Sequence, residues 1–241
     1  MTADILHELP MRWADLDSLN HVNNVVYVDY AAESRAMLVD DGLVGPDSAI
    51  AHVGVRFLRP LLLGRRPVGV TSSITDGELT QEISVQGDEE QTVFARVVTT
   101  YGPRVDAVLR EPAGDPLPAR VRRSDLDATG AVSTTKLFEL FQEGRILLIS
   151  THVQAMRPGR FVVGSTDVNL VRPVGWRSAP YDMRARVSRV GGSSFTIAAE
   201  LADGDQVLAR STTVLVGFDL ATQRSRRLDD QERSELEALL A

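Results

Sequence analysis

The strongest constraint on the fold of this chain is a segment that occurs twice. Asp15–Arg35 reads DLDSLNHVNNVVYVDYAAESR, and Asp125–Arg145, 110 positions later, reads DLDATGAVSTTKLFELFQEGR. The identical pairs are Asp15/Asp125, Leu16/Leu126, Asp17/Asp127, Val22/Val132, Glu33/Glu143 and Arg35/Arg145. The polar residues His21, Asn23 and Asn24 of the first copy are replaced in the second by Ala131, Ser133 and Thr134. We therefore expect two similar units, of which only the first keeps the polar centre.

The repeat extends beyond this segment. The further matches are LRP at Leu58–Pro60 with VRP at Val171–Pro173, and VFAR at Val93–Arg96 with VLAR at Val207–Arg210. Residues 103–118 contain four prolines and little periodic apolar pattern, which is typical of a linker. The sequence therefore predicts a first domain over 1–102, a linker over 103–118, and a second domain over 119–241 that ends in a short helix.

Both units show the same order of predicted elements. A short extended piece leads into the aspartate-bearing loop, a helical pattern follows, and four strand-like runs come after the helix. The predicted strands are Ile50–Leu58, Val68–Ile74, Leu79–Val85, Thr92–Tyr101, Phe161–Val171, Tyr181–Val190, Ser194–Leu201 and Val207–Val216. Strands joined by short turns form antiparallel sheets, and one long helix can cover the apolar face of such a sheet. The predicted fold class is therefore α+β, with two antiparallel sheets each wrapped around a long helix.

Composition argues against several kinds of function. The 241 residues carry a net charge of −7, whereas nucleic-acid binding needs concentrated positive charge. The chain has no cysteine, and its four histidines lack the spacing of metal ligands. No apolar run is long enough to span a membrane, and the first residues lack the pattern of a signal peptide. We expect a cytoplasmic protein without a metal or other cofactor.

The polar centre of the first copy lies where a loop enters a helix, and this placement suits acyl transfer. The first N–H groups of a helix lack intrahelical partners and lie at the positive end of its dipole, so they can stabilise an oxyanion. A carboxylate just upstream can act as a nucleophile or as a base that activates water. Asp17 and the amide of Asn24 fit these roles, and His21 could orient the carboxylate or the substrate. Taken singly, Asn23 or Asn24 is also an ordinary helix cap.

These residues resemble the signature region of hotdog-fold thioesterases of the 4-hydroxybenzoyl-CoA thioesterase and acyl-ACP thioesterase type. Members of that family often carry the pattern D-x-D-x-x-G-H-V-N-N-x-x-Y, followed by a helical segment similar to E-x-x-R. The matching residues are Asp15, Asp17, His21, Val22, Asn23, Asn24, Tyr27 and Glu33, and position 20 is Asn where Gly is frequent. The layout of the whole chain resembles two hotdog units in tandem, a double hotdog.

The resemblance implies hydrolysis of an acyl-CoA or acyl-ACP thioester to a carboxylic acid and a thiol, a reaction of fatty acid metabolism. It places Asp17 at the catalytic carboxylate, Asn24 at the amide that receives the thioester oxygen, and His21 in or beside the site. The residues expected to bind substrate are Asn23, Tyr27 and Glu33. Since fused units form an intramolecular pair, the second copy is free to lose its reactive loop. Homo-oligomers of such double-hotdog chains also remain open.

Two other functions fit the same fold. One is a hydratase or dehydratase that acts on an enoyl or hydroxyacyl thioester, although the G-D-x-N-P-x-H motif common in those enzymes is not matched by DLDSLNH, which lacks its proline and its spacing. The other is a module that binds acyl thioesters without catalysis, and a carboxylate retained beside the helix start counts weakly against it. Thioester hydrolysis is the function that the residues favour.

Overall fold

The computed structural model describes residues 4–17, 19–45, 49–87, 92–104, 116–156 and 159–240. The chain divides into two compact units, Met1–Arg104 and Val105–Ala241. The predicted linker spans this division, but its residues 105–115 lie outside the described residues. Each unit contains one long helix that packs on an antiparallel sheet, so the predicted α+β class is confirmed.

The first unit is a five-stranded sheet with one helix. Its elements are β1 (Ile5–Leu9), α1 (Asn24–Asp40), β2 (Ile50–Phe57), β3 (Val68–Thr75), β4 (Glu78–Val85) and β5 (Val93–Tyr101). The strand order is β1-β3-β4-β5-β2, and all neighbouring strands are antiparallel. Strands β3 and β4 are joined at Asp76 and Gly77, whose φ angles of 46° and 80° belong to the turn that a twisted hairpin favours. The four strands predicted for this unit are confirmed to within a residue or so at their ends.

Helix α1 is fixed to its sheet partly by a buried polar network. The Ser34 hydroxyl is hydrogen-bonded to Nδ1 of His7 at 2.9 Å and to the Ser72 hydroxyl at 3.3 Å. Gln81 donates through Nε2 to the Ala31 carbonyl at 3.0 Å and to the Ser72 hydroxyl at 3.3 Å. Since these side chains are buried, their mutual hydrogen bonds offset the free energy lost when polar groups leave water.

The second unit repeats this arrangement and adds a terminal helix. Its elements are β6 (Leu117–Ala119), α2 (Thr134–His152), β7 (Phe161–Leu170), β8 (Tyr181–Val190), β9 (Ser194–Asp203), β10 (Gln206–Asp219), β11 (Arg224–Ser225) and α3 (Asp230–Glu237). The strand order is β7-β10-β9-β8-β6, all antiparallel, and β11 pairs with β10. The short helix predicted near the end of the chain is confirmed, with Asp229 as its N-cap.

At the position of Ser34, helix α2 has no polar side chain. Gly144 stands at the position of Ser34, and an added Cβ there would lie 2.7 Å from Cγ of Met183. The absence of a side chain at Gly144 therefore lets Met183 of β8 approach the helix closely. Among the described residues, no helix is long and apolar enough to cross a membrane.

Candidate active site

The predicted catalytic loop connects a 3-10 turn, Trp13–Asp15, to the start of α1 and closes on itself. The N–H of Asp17 donates to the carbonyl of His21 at 2.8 Å, and the N–H of Asn20 donates to the carbonyl of Asp17 at 3.1 Å. Asn20 has a φ of 59°, a left-handed conformation that asparagine tolerates better than most non-glycine residues. This closed turn brings Asp17 and His21 together.

The Asp17 carboxylate is half-buried and has two unlike oxygens. Oδ1 accepts the N–H of Leu19 at 2.8 Å and the N–H of His21 at 3.1 Å. Oδ2 makes no hydrogen bond to any residue of the described ranges. The main chain therefore fixes one oxygen, and the other is available to take a proton or to attack a carbonyl carbon.

The start of α1 lies directly after this loop. Asn23 is the N-cap: its side chain accepts the N–H of Val25 at 3.1 Å, and its own N–H donates to the carbonyl of Asp15 at 2.8 Å. Asn24 is the first residue of the helix and is half-buried. Its N–H belongs to the first helical turn, whose amides have no intrahelical acceptor and lie at the positive end of the dipole. The two asparagines therefore differ, since Asn23 holds the helix end and Asn24 presents an amide.

His21 is held by its backbone, and its ring has no partner among the described residues. Its main chain forms a β-bridge with Leu62, and it is half-buried. The imidazole makes no hydrogen bond within the described part of the chain. An imidazole placed in this way beside the Asp17 loop is free to donate or accept a hydrogen bond from a ligand.

Tyr27 supports the site from within the core. Its ring is buried and meets Phe57 edge-on at a centroid distance of 5.3 Å, and its hydroxyl accepts the N–H of Leu61 at 2.9 Å. Burial, with a smaller contribution from the charge of Asp17, raises the pKa of Tyr27 to about 12. The side chain thus ties α1 to the loop that follows β2. Its predicted contact with substrate stays a prediction.

Sequence reasoning missed a second tyrosine of this region. The hydroxyl of Tyr30 donates to Oδ2 of Asp15 at 2.7 Å, and the same oxygen accepts the N–H of Arg12 at 2.7 Å. Burial and the Asp15 carboxylate together raise the pKa of Tyr30 well above its ordinary value. Asp15 therefore anchors the 3-10 turn and α1. No local pattern links Asp15 to Tyr30, because they lie in different elements.

Glu33 does not join the other predicted site residues. It is exposed, and it lies nine positions after Asn24 on α1. At 3.6 residues per turn this is about two and a half turns, which places Glu33 on the opposite side of the helix from Asn24. Its predicted role in substrate binding stays a prediction, and the structure places it away from the loop.

The second unit contains the same loop with the same main-chain bonds. The N–H of Asp127 donates to the carbonyl of Ala131 at 2.8 Å, and the N–H of Gly130 donates to the carbonyl of Asp127 at 3.0 Å. Gly130 has a φ of 81°, so it takes the left-handed conformation that Asn20 takes in the first unit. Ser133 caps α2 by accepting the N–H of Lys136 at 3.3 Å. The backbone frame of the loop is therefore independent of the polar centre.

The side chains make the two loops chemically different. Asp127 is exposed, and its Oδ1 accepts both the N–H and the hydroxyl of Thr129, at 2.9 and 2.6 Å. Ala131 supplies no imidazole, and Leu137 stands at the position of Tyr27. Within the described ranges, neither unit contains a group of three or more His, Asp or Glu side chains arranged to hold a metal ion. Of the described residues, only those of the first unit combine a half-buried carboxylate, an imidazole and a helix start in this loop.

Family models match both ends of the chain. Residues 121–236 match the thioesterase-like superfamily, and residues 1–43 match the acyl-ACP thioesterase C-terminal domain. The latter match includes the whole candidate catalytic loop. No curated protein is significantly similar in sequence to the chain.

Solved thioesterase structures share the fold at low sequence identity. A protein described as an oleoyl thioesterase from Lactobacillus plantarum is similar with a TM-score of 0.66 and 12% identity, over 90% of this chain and 96% of that chain. The 12:0-ACP thioesterase from Umbellularia californica has a TM-score of 0.64 and 10% identity, over 92% of this chain and 98% of that chain. An acyl-ACP thioesterase from Bacteroides thetaiotaomicron has a TM-score of 0.59 and 11% identity, over 88% and 97% respectively.

At these identities the structural likeness concerns the fold alone, and the family models carry the assignment. The thioesterase resemblance predicted from the loop residues is therefore confirmed by the family models. Each end of the chain is therefore similar to a thioesterase family, and the fold is shared with solved thioesterases; together these findings support a thioester hydrolase.

Proposed function

We propose that the protein hydrolyses an acyl-CoA or acyl-ACP thioester to a free carboxylic acid and a thiol, with Asp17 as nucleophile or general base. The observation that carries this proposal is the state of the Asp17 carboxylate. One oxygen is fixed by the N–H groups of Leu19 and His21, and the other has no partner among the described residues. Such a group is held in place and still reactive, which is what a catalytic carboxylate requires.

The general-base route needs one water molecule. Asp17 takes a proton from the water, and the water oxygen attacks the thioester carbonyl carbon. The carbonyl oxygen then becomes an oxyanion. The N–H of Asn24 donates a hydrogen bond to that oxyanion, which it stabilises more strongly than the neutral carbonyl. The C–S bond then breaks, the thiolate leaves and takes up the proton, and the carboxylic acid remains.

The nucleophilic route uses the same groups in two steps. Asp17 attacks the carbonyl carbon, the thiolate leaves, and a mixed anhydride forms between the enzyme and the acyl group. Water then hydrolyses the anhydride and restores the carboxylate. In both routes His21 orients the substrate or the carboxylate, while Asn23 and Tyr27 hold the helix end and the neighbouring loop.

We further propose that the two units are hotdog units in tandem, 1–102 and 119–241, of which the first is competent and the second degenerate. The support for this is the shared order of elements and the identical main-chain bonds of the two loops. The replacement of His21 by Ala131 and of Tyr27 by Leu137 supports the loss of chemistry in the second. The cytoplasmic location and a homo-oligomer of these chains stay predictions.

A panel of acyl-CoA and acyl-ACP substrates tests the proposal. Thiol release reports hydrolysis, and the chain has no cysteine, so the protein contributes no thiol background. Enoyl absorbance, followed in parallel, reports a hydratase or dehydratase. Thiol release that depends on Asp17 supports the proposal. A change in enoyl absorbance without thiol release, or binding without either reaction, contradicts it and favours one of the two alternatives.

A further inference from the structure

The loop between β2 and β3, residues 58–66, lies directly against the candidate catalytic loop. The N–H of Val22 donates to the carbonyl of Leu61 at 2.8 Å, and His21 forms a β-bridge with Leu62. On its far side the loop contacts the segment before the 3-10 turn, because an added Cβ on Gly64 would lie 3.2 Å from Cε of Met11. Whatever binds to the 58–66 loop therefore binds next to the reactive carboxylate.

This loop exposes large apolar side chains to solvent. Leu62 is 59% exposed, and Leu58 and Leu63 are also exposed. Trp13, in the neighbouring 3-10 turn, is 78% exposed. Isolated exposed apolar residues need no explanation, but several that share one loop beside a candidate active site mark an interaction surface.

The same loop concentrates positive charge in an acidic protein. The chain as a whole carries a net charge of −7, yet no acidic residue occurs between Asp47 and Asp76, a span that includes Arg59 and Arg65. Both arginines are exposed, and neither forms an ion pair with a described residue. Exposed leucines and arginines, with a tryptophan beside them, are the side chains that fit an acidic protein surface with an apolar centre.

The corresponding loop of the second unit, residues 171–179, has its charges and aromatic ring occupied by its own unit. Arg177 forms an ion pair with Asp203 and donates to the carbonyl of Ala179. The ring of Trp176 is covered by the guanidinium of Arg123, 3.7 Å from the ring centroid. Position 13 of the first unit, which corresponds to Arg123, holds an exposed tryptophan instead. The second unit thus provides a comparison within the chain, because the side chains of its corresponding loop are bound by their own unit.

We infer that residues 58–66, with Trp13, form the docking surface for an acidic acyl carrier protein that delivers its thioester to Asp17. This rests on the proposed function and adds the carrier and its place of contact. A protein partner fits better than a nucleotide, because a nucleotide site is concave and encloses its ligand, whereas these side chains stand out into solvent. The arginines contribute mainly to the encounter, since exposed charges chiefly affect association rates.

The test compares one acyl chain on two carriers. The double variant Arg59→Glu/Arg65→Glu is expected to lower kcat/KM for the acyl-ACP by about tenfold or more through KM, with a much smaller effect on the acyl-CoA. The wild-type kcat/KM for the acyl-ACP is expected to fall with added salt, and the variant is expected to lose that dependence. Arg224→Glu, which reverses an exposed arginine of β11, is the matched control and is expected to behave as wild type.

Three results would overturn the docking surface. An equal loss with both carriers would make the arginines a nucleotide or general anion site. Hydrolysis of acyl-CoA but not of acyl-ACP by the wild type would contradict a carrier protein as the partner, while the proposed thioester hydrolysis would still hold. A change from dimer to monomer in Leu62→Ser/Leu63→Ser, measured by sedimentation, would make this surface a contact between copies of the chain.

Direct binding separates the docking surface from the reaction. The affinity of the full chain for an acyl-ACP in which a stable amide replaces the thioester is measured for wild type and both arginine variants. Weaker binding by Arg59→Glu/Arg65→Glu alone supports the docking surface even if hydrolysis is never observed, in which case the proposed function fails by itself. Unchanged binding overturns the docking surface whatever the enzyme hydrolyses.

Discussion

Asp17 and His21 are joined twice: the N–H of Asp17 donates to the carbonyl of His21 at 2.8 Å, and the N–H of His21 donates to Oδ1 of Asp17 at 3.1 Å. The second bond gives the aspartate a structural task, because its side chain holds the loop closed. Asp127 performs this task in the other unit with Thr129 and Ala131. Conservation of the aspartate between the two copies is therefore explained by loop geometry, and catalysis must be tested by removing charge alone.

Asp17→Asn makes that separation. Its side-chain oxygen can still accept the N–H groups of Leu19 and His21, whereas the negative charge needed for nucleophilic or general-base work is lost. We expect hydrolysis to fall by at least ~10²-fold, the lower end of a typical general-base contribution. The free energy of unfolding should fall by no more than about 1 kcal/mol, because the two N–H groups exchange a charged acceptor for a neutral one. Steady-state thiol release and urea unfolding measure the two quantities.

Asp127→Asn is the matched control for this variant. It makes the same chemical change in the same backbone frame, but its loop has Ala131 at the position of His21. We expect most of the activity to remain. The hydrolytic activity of His21→Ala should lie between those of Asp17→Asn and Asp127→Asn. Equal losses in the two asparagine variants, with both proteins folded, would indicate two working sites, and a loss in Asp127→Asn alone would move the chemistry to the second unit.

The conformation of Asn20 gives a prediction about stability. Its φ of 59° lies in the left-handed region, where a side chain causes steric strain. Glycine avoids this strain, and alanine would increase it. Asn20→Ala should lower the free energy of unfolding by about 1 kcal/mol, while Asn20→Gly should be neutral within about 0.5 kcal/mol. Gly130→Ala, at a φ of 81°, should cost about as much as Asn20→Ala. Urea unfolding checks all three, and a stabilising Asn20→Ala would contradict the left-handed assignment.

Local patterns in the sequence were sufficient for the long strands and helices and for the frame of the site. Strand β8 coincides with the predicted run Tyr181–Val190, because its apolar and polar residues alternate and the run ends at the turn signal Gly191–Gly192. The sequence offers Asn23 or Asn24 as the cap of α1, and Asn23 is the N-cap in the structure. The proximity of Asp17 to the helix start followed from chain connectivity alone.

Contacts between distant residues could not be predicted in this way. The hydrogen bond from Leu61 to Tyr27 joins positions 34 apart, and the one between His7 and Ser34 joins positions 27 apart. Periodicity assigns a residue to a face of its element, but the partner of that face depends on tertiary packing. For the same reason, the match of Glu33 to the family pattern did not reveal that it lies on the opposite side of α1 from Asn24.

The hydroxyl of Tyr27 gives a prediction in alkaline solution. Leu61 is buried, so Tyr27→Phe leaves its N–H without an acceptor and should cost about 1–3 kcal/mol at pH 8. Burial raises the pKa of Tyr27 from 10.0 to about 12. Folding therefore favours the protonated phenol, and the contribution of this group is fully present below pH 10 and is lost as the pH rises toward about 12.

Urea unfolding of both proteins at pH 8 and pH 11 measures this effect. Wild type should lose more of its free energy of unfolding between these pH values than Tyr27→Phe, because the variant has no phenol at this position to ionise. The remaining alkaline loss in the variant reports the other titrating groups, including Tyr30. If the free energy of unfolding falls equally in the two proteins between pH 8 and pH 11, the folded protein does not raise the pKa of the Tyr27 phenol.

The last prediction concerns α3, which is held by the buried carboxylate of Glu232. Arg226 donates to both of its oxygens at 2.8 Å, and Nε of Arg160 lies 3.1 Å from Oε1. The N–H of Asp229 adds a fourth contact at 2.9 Å. Since Glu232 is fully buried while the two arginines are partly exposed, its charge is balanced inside the protein and theirs are partly hydrated.

Glu232→Gln keeps the size of the side chain and removes the charge that the two arginines share. We expect the free energy of unfolding of the second unit to fall by about 2–3 kcal/mol, the range for hydrogen bonds to a charged group. Glu237→Gln is the matched control, because that carboxylate is exposed and pairs with Arg233 on the same helix, so its loss should cost less than about 0.5 kcal/mol. Below the melting temperature, thiol release should be unchanged in both variants, since the proposed chemistry belongs to Asp17 in the first unit. A loss of activity in folded Glu232→Gln would show that α3 supports the reaction.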